Sequence, residues 1–327
     1  MTRPETQAPG LRHAALQRRR RAVQIGFFAL FLLAPALDLL RFDLHEAQLW
    51  VLGQRWTLGI VAFQRGELDA TEVAVSIFLR GILPALLLAG GFLAVAWRWG
   101  RLYCGWLCPH FSLVELLNDL LHRATGQLSL WDTAPVPRGG RRPDRRWVPL
   151  FVAACAVFGF LWAITLLTYL LPPQEVWGGL ISGTLTPNQA RFLVIGSAVF
   201  TAEIGFARHL FCRFGCAVGF FQSLAWMANP KAMVIAFRRE RAADCRRCTT
   251  TQAPQGEACE AACPMRLRPR QIKRLMFSCV QCGQCLAECD RSQQLLEWSV
   301  GVDALRETLR QRRQRAEEKH RWKSGSA

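Results

Sequence analysis

Eight cysteines fall between positions 245 and 289, grouped as C-R-R-C, C-E-A-A-C-P and C-V-Q-C-G-Q-C-L-A-E-C. Spacings of this kind suit iron–sulfur ligation. In runs of the form C-x2-C-x2-C-x3-C-P, the last cysteine of each run ligates the other of two clusters. Cysteines two residues apart reach one cube on a tight turn, whereas a cysteine after a three-residue gap already points away. On that pattern Cys279, Cys282 and Cys285 hold one cube, with Cys263 as fourth ligand. Cys245, Cys248 and Cys259 hold a second, with Cys289 as fourth. Ten residues separate Cys248 from Cys259 where the pattern has two, and no proline follows Cys289. Paired zinc sites are the alternative chemistry for C-x2-C pairs, although C-x2-C-x2-C is crowded for a zinc knuckle. A disulfide framework does not suit a reducing compartment.

A second set of cysteines repeats itself. Arg101 to Pro109 reads R-L-Y-C-G-W-L-C-P, and His209 to Ala217 reads H-L-F-C-R-F-G-C-A. Each stretch places Cys-x3-Cys at the end of an apolar segment. Cysteines four apart share one helix face, where they can grip one metal ion or close a strained disulfide. If the stretches pack together, Cys104, Cys108, Cys212 and Cys216 converge on one site of four soft ligands, suited to Cu(I), zinc or another cluster. Buried structural thiols are the plainer alternative. His110 and His209 flank the pairs and could complete a metal site or carry protons. The four cysteines are thus the candidate catalytic residues, and with the two histidines the candidate metal site. Cys155, alone inside an apolar segment, reads as packing.

These residues need elements to position them, and composition bounds what those are. The net charge is +17, mostly from arginine, and 51% of residues are hydrophobic. Such a charge suits nucleic acid or an anionic membrane surface. Four long apolar segments decide for the lipid bilayer, and no nucleic-acid partner is expected. Spans are predicted over about 22–40, 73–97, 147–171 and 192–207, against the ~20 residues that cross a bilayer. A signal peptide would share the positive start at Arg18–Arg21, but the 22–40 run exceeds the usual apolar region and no small-residue cleavage site follows. The organisation is therefore a basic tail (1–21), a four-span membrane domain (22–230), a cluster-binding domain (231–300) and a basic tail (301–327). Arginines concentrate in the N-terminal tail and the 98–146 loop, so the positive-inside rule puts both termini and the clusters in the cytoplasm. The Arg306–Lys323 stretch reads as a solvated helical face near anionic headgroups. Charges within spans are functional suspects. Asp38 and Arg80 are expected near the outer side, where they could pair; Glu203 and His45 are weaker candidates for quinone or metal contacts.

With these motifs, the chain resembles the membrane-bound polyferredoxins grouped with NapH, NosR and CcoG/FixG/RdxA, over roughly residues 22–295. Within that group it is most similar to CcoG/FixG, through R-F-D-L-H-E-A-Q-L-W-V-L-G, L-Y-C-G-W-L-C-P, C-A-V-G-F-F-Q-S and C-V-Q-C-G-Q-C-L-A-E-C-D. The resemblance implies an α-helical integral membrane protein of the bacterial inner (plasma) membrane. Four transmembrane helices in two repeats would carry a cytoplasmic double-cubane ferredoxin-like domain with two 4Fe-4S clusters. CcoG-like members imply reduction of Cu(II) to Cu(I) in support of haem–copper oxidase assembly, with assembly factors as partners. NapH-like members imply quinol oxidation, with electrons passed to a periplasmic redox partner. Ala217 departs from the family's second C-x3-C-P motif, and the Cys248–Cys259 loop is longer. The further span and periplasmic immunoglobulin-like domain of CcoG/FixG, and the flavin domain of NosR, have no counterpart in the sequence.

The expected function is inner-membrane electron transfer between the clusters and the paired Cys-x3-Cys site, with copper or quinone as the other reactant. A scaffold whose metals only fold the cytoplasmic domain is the reading from another class. The sequence has no C-x-x-C-H haem attachment motif and no glycine-rich nucleotide fingerprint.

Overall fold

A computed structural model of the chain describes residues 9–127, 130–131, 143–247, 258–292, 295–301, 306 and 309–310. In chain order the elements begin with α1 (Pro9–Ala36), β1 (Leu40–Asp43), β2 (Gln48–Val51), β3 (Gln54–Trp56), α2 (Ile60–Gln64) and α3 (Ala70–Ile77). A π-helical turn, Phe78–Ile82, joins α3 to α4 (Leu83–Trp99), and α5 (Leu102–Trp106), α6 (Pro109–Thr125), α7 (Trp147–Leu170), α8 (Pro173–Ser182) and α9 (Pro187–Ala202) follow. The remainder is α10 (Ala217–Ala228), β4 (Met233–Phe237), α11 (Ala258–Ala261), α12 (Gln284–Ser292) and β5 (Leu296–Val300). Two compact units interleave in sequence. One comprises Met1–Gln24, Val95–Arg145 and His209–Ala327, and the other Ile25–Ala94 and Arg146–Arg208.

The second unit is built from apolar helices. Among the described residues three helical stretches are long and apolar enough to cross a membrane: Ala70–Trp99, Trp147–Leu170 and Pro187–Ala207. They coincide with the expected segments at 73–97, 147–171 and 192–207. Leu86, Leu87 and Leu88 are 63%, 67% and 76% exposed, so this helix offers apolar side chains outward on all faces. Such a helix needs hydrocarbon, not water, as its surroundings. α7 packs on α9 through Ala163, Ile164, Leu167 and Leu193, all buried. Cys155 is buried on α7, in keeping with a packing role.

The expected first span is shorter than its apolar run. α1 ends at Ala36, and Asp38 turns the chain with φ 52° into β1. Its apolar part, Ala22–Ala36, is about 22 Å long at 1.5 Å per residue, against ~30 Å of bilayer hydrocarbon. This part lies along α7: Phe28 meets Phe158 and Phe31 meets Trp162 and Tyr169, with ring centroids 6.3, 5.0 and 5.6 Å apart. The expected Asp38–Arg80 pair does not form. Asp38 pairs instead with Arg41, three residues on, which also reaches Asp43 at 2.7 Å. Arg80 donates to the Thr57 carbonyl at 3.4 Å. His45 pairs with Glu175 at 2.9 Å, at an exposed position.

The other unit carries every Cys-x3-Cys and cluster cysteine. β4 and β5 pair antiparallel, Met233 opposite Val300 and Phe237 opposite Leu296, and they bracket the cysteine segment with α11 and α12. Trp226 of α10, fully buried, donates from Nε1 to the Met233 carbonyl at 2.8 Å and so ties α10 to this sheet. The helix α1 begins at Pro9, and Arg20, from the expected basic tail, is completely buried here. The expected tail helix over Arg306–Lys323 falls almost wholly outside the described residues.

Candidate functional site

Cys263, Cys279, Cys282 and Cys285 line one small cavity, with Ile235, Met265, Leu267, Met276 and Val280 around them. The local chain explains the convergence. Cys279 and Cys282 lie on an extended stretch bent at Gln281 (φ 53°) and Gly283 (φ 71°), and Cys285 then sits in the first turn of α12. The Cys263 Sγ comes from the loop after α11 and accepts from the Leu267 N–H at 3.4 Å. Burial holds the thiols of Cys279, Cys282 and Cys285 above the usual range, Cys282 at about 12, and neighbouring thiols push each further. Four mutually close thiols in an apolar cavity are a donor set that fits an iron–sulfur cluster. Among the described residues no three Cys, His, Asp or Glu side chains close on a single ion.

The second expected group is described in part. Cys259 on α11 and Cys289 on α12 are buried, and Cys245 is half-buried. The Cys289 Sγ accepts from the Leu295 N–H at 3.1 Å. Cys248 lies outside the described residues.

The paired motifs differ from a continuous helix face. Cys104 sits within α5, which ends at Trp106, and Cys108 takes an extended ψ of 119° as the residue before α6. Pro109 imposes this, since proline disfavours helical backbone in the residue before it. Cys212 lies in a π-helical turn, Phe211–Gly215, and Cys216 takes ψ 107° as the residue before α10. The second cysteine of each pair is therefore the residue before a helix N-terminus. The Cys216 Sγ accepts from the Gly219 N–H at 3.5 Å. Cys104, Cys108 and Cys212 are pushed up chiefly by burial, Cys108 to about 11, and each is raised further by other thiols of the set, Cys216 among them. Burial and the same thiols push Tyr103 up to about 12.

The two histidines divide. His110 Nδ1 lies 3.3 Å from Cys212 Sγ. His209 is buried with Nε2 3.1 Å from Asn118 Nδ2, its ring beside Phe111, and so faces α6. Glu203 opens the π-helical turn at the end of the third apolar helix.

Several residues here had no sequence signal of their own. Cys104 Sγ donates to Gln222 Oε1 at 3.2 Å. Arg101, 1% exposed, donates from Nη2 to the Cys212 carbonyl at 2.6 Å, and its positive charge acts against the upward push of burial on the Cys104 thiol. Gly219 makes room for it, because a Cβ there would overlap the guanidinium. Arg101 stands three residues before Cys104 as His209 stands before Cys212, and that equivalence was the available clue. Gly105 touches the cluster segment so closely that a Cβ would overlap the Val280 carbonyl oxygen. Trp106 Nε1 donates to the Gln281 carbonyl at 3.1 Å, and Gln17 Nε2 to the Cys282 carbonyl at 2.9 Å. Arg20 donates to the Gly105 carbonyl at 3.1 Å and forks onto the Glu115 carboxylate.

Residues 82–126 match the family model of a 4Fe–4S binding domain, and the cysteines in that stretch are Cys104 and Cys108. Among curated proteins the chain is similar to YccM of Escherichia coli (strain K12), named as an electron transport protein, with 23% identity over 207 residues. The match covers 63% of this chain and 53% of that protein, so the chain spans about half the length of the relative. No solved structure matches it.

Proposed function

We propose that this chain is a membrane-bound iron–sulfur electron-transfer protein. The observation that carries the reading is the apolar cavity lined by Cys263, Cys279, Cys282 and Cys285. The 4Fe–4S binding-domain match and the similarity to a protein named for electron transport support it. In this reading those four cysteines hold one 4Fe–4S cluster, and Cys245, Cys248, Cys259 and Cys289 hold a second. Such clusters supply one-electron transfer, at potentials set by burial and by hydrogen bonds to sulfur. The residues of the chain do the tuning. Leu267 and Leu295 donate N–H groups to the sulfurs of Cys263 and Cys289. Met276, Val280 and Leu267 keep water from the cavity.

The Cys104, Cys108, Cys212 and Cys216 group is the next station, reached across the contact of Gly105 with Val280. Its chemistry with the final partner separates two finer readings. Soft thiols beside His110 favour Cu(II) reduction to Cu(I), as in CcoG-like oxidase assembly. A NapH-like quinol dehydrogenase is the second reading, favoured by the end of an apolar helix at Glu203. Purified, cluster-loaded protein reduced by a quinol analogue would select the second. Tight Cu(I) binding lost on Cys104→Ser with Cys108→Ser would select the first.

Placement in the membrane belongs to the same proposal. Gln17 and Arg20 bond residues at 282 and 105, which follow the apolar helices, while Leu44 donates to the Leu170 carbonyl at the far end of α7. In this proposal the apolar half of α1, which lies along α7, is a fourth, short crossing. The arginine-rich 98–146 loop puts the cluster side in the cytoplasm. Electron paramagnetic resonance of dithionite-reduced membranes tests the central reading. A cubane signal is expected; its absence, with zinc co-purifying instead, would leave a metal-folded scaffold.

A further inference from the structure

We propose that α10 is an interfacial helix, lying on the bilayer surface with its outer side chains at the boundary between the acyl chains and the headgroups of anionic lipid. This rests on the membrane reading above and adds a lipid contact to the unit that carries the cysteines.

The helix is amphipathic in the reverse of the usual sense. Its buried positions, Gly219, Gln222, Ser223 and Trp226, recur at helical spacing and include every polar side chain of α10. Those polar groups are engaged inward. Gln222 Oε1 accepts from the Cys104 thiol at 3.2 Å, and Ser223 Oγ donates to the Phe277 carbonyl at 2.8 Å. The opposite face is Val218, Phe220, Phe221 and Leu224, all exposed, with Phe214 just before the helix 76% exposed. Water is a poor neighbour for an unbroken apolar face of this kind. The 12 residues of α10 reach about 18 Å at 1.5 Å per residue. That is short of the ~30 Å of bilayer hydrocarbon, so the helix suits the surface and not a crossing.

What surrounds α10 within its own unit names lipid as the occupant. Asn229 Nδ2 donates to the Trp97 carbonyl at 2.9 Å, and Arg98 Nη1 to the Lys231 carbonyl at 3.3 Å. The end of α10 is thus bonded to the end of the apolar stretch Ala70–Trp99, where Trp97 and Trp99 are both exposed. Exposed tryptophans at the end of such a helix belong at the membrane–water boundary. The rim of the face is cationic. Arg213 precedes the helix, and Lys231 follows it. Lys273 Nζ caps it on the Trp226 and Asn229 carbonyls at 2.7 and 2.6 Å, with Arg274 next in the chain. The sequence holds no Asp or Glu over 204–239 or 261–287. That charge matches anionic headgroups. It disfavours a second copy, which would bring the same cations rim to rim.

A benzophenone amino acid in place of Phe221 tests this in the full chain, reconstituted in vesicles of phosphatidylglycerol and phosphatidylethanolamine. After irradiation, mass spectrometry should find the probe joined to lipid, with phosphatidylglycerol enriched several-fold over its share of the mixture. Lys231→Glu with Arg274→Glu should return it to that share; enrichment unchanged by the pair would overturn the role of the cationic rim. A probe joined to a second copy, or in native membranes to another protein, in place of lipid would overturn the proposal. So would a probe that joins nothing because only water meets it. The same probe at Leu87, exposed in the Ala70–Trp99 stretch, keeps two failures apart. Lipid at Leu87 without lipid at Phe221 sinks this inference alone, and lipid at neither removes the membrane reading beneath it.

Discussion

Gly105 is where the two cysteine sets touch, and its missing side chain is what allows it. Gly105→Ala forces a methyl onto the Val280 carbonyl, an overpacking that costs roughly 1–3 kcal/mol. The expected outcome is a lower thermal midpoint and slower electron exchange between the two sites, read by flash reduction; equal rates would mean that the contact is not a route. The thiols themselves set a pH dependence. In chelator-treated protein Cys108 and Cys282 are raised from 9.0 to about 11 and about 12 by burial. The folded state then keeps protons that the unfolded chain sheds. Stability should therefore hold up to about pH 9 and fall as pH rises towards the folded values. Melts monitored by circular dichroism from about pH 8 to about pH 11 check the slope. Cys108→Ala should flatten it. Cluster-ligand spacing was legible because ligation is written in short local runs such as C-V-Q-C-G-Q-C. The bond of Arg101 to the Cys212 carbonyl and that of Gln222 to Cys104 were not, because only packing brings these partners, 111 and 118 residues apart, together.

Among the elements, α1 does two jobs along one helix. Its first half docks by Gln17, Arg20 and Gln24 onto Gly105, Glu115 and Cys282, and its second half lies along α7. Glu115 also accepts from Gln284, so one carboxylate joins α1, α6 and α12. Glu115→Gln leaves the buried Arg20 without its counter-ion and should cost about 3–5 kcal/mol. A thermal shift in detergent measures it, and a change within error would show that Gln24 and Gln284 suffice to hold the helix. The apolar helices over 70–99, 147–170 and 187–207 were readable from hydropathy alone, since an unbroken apolar run needs no long-range partner to declare itself. The first span was misjudged in length because residues 37–40 are apolar yet turn at Asp38 into a strand. At the first pair the helix-face reading of Cys-x3-Cys failed for a local reason: Pro109 holds Cys108 out of helical backbone.

At the scale of the whole molecule, the arginine-rich stretches predict a sidedness through the positive-inside rule. The loop carrying β1–β3 and the loop of 98–146 should lie on opposite sides of the membrane. Gln54→Cys and Arg145→Cys, both at exposed positions, report this with an impermeant thiol reagent on intact cells. Labelling of the first above the background of the unsubstituted chain, and of the second only after lysis, is expected. The reverse pattern would invert the topology.

The hydrogen bond from Gln17 to the Cys282 carbonyl joins residues 265 positions apart. Contacts so distant in sequence are slow to close and come late in folding. Synthesis at ~5–20 residues per second leaves α1 waiting tens of seconds for that partner. Throughout that interval the face of α1 that carries Arg20 has neither Gln284 nor the cysteine run to cover it. On the iron–sulfur reading proposed above, the thiol-bearing unit would stay open to iron and sulfide until that late contact closes.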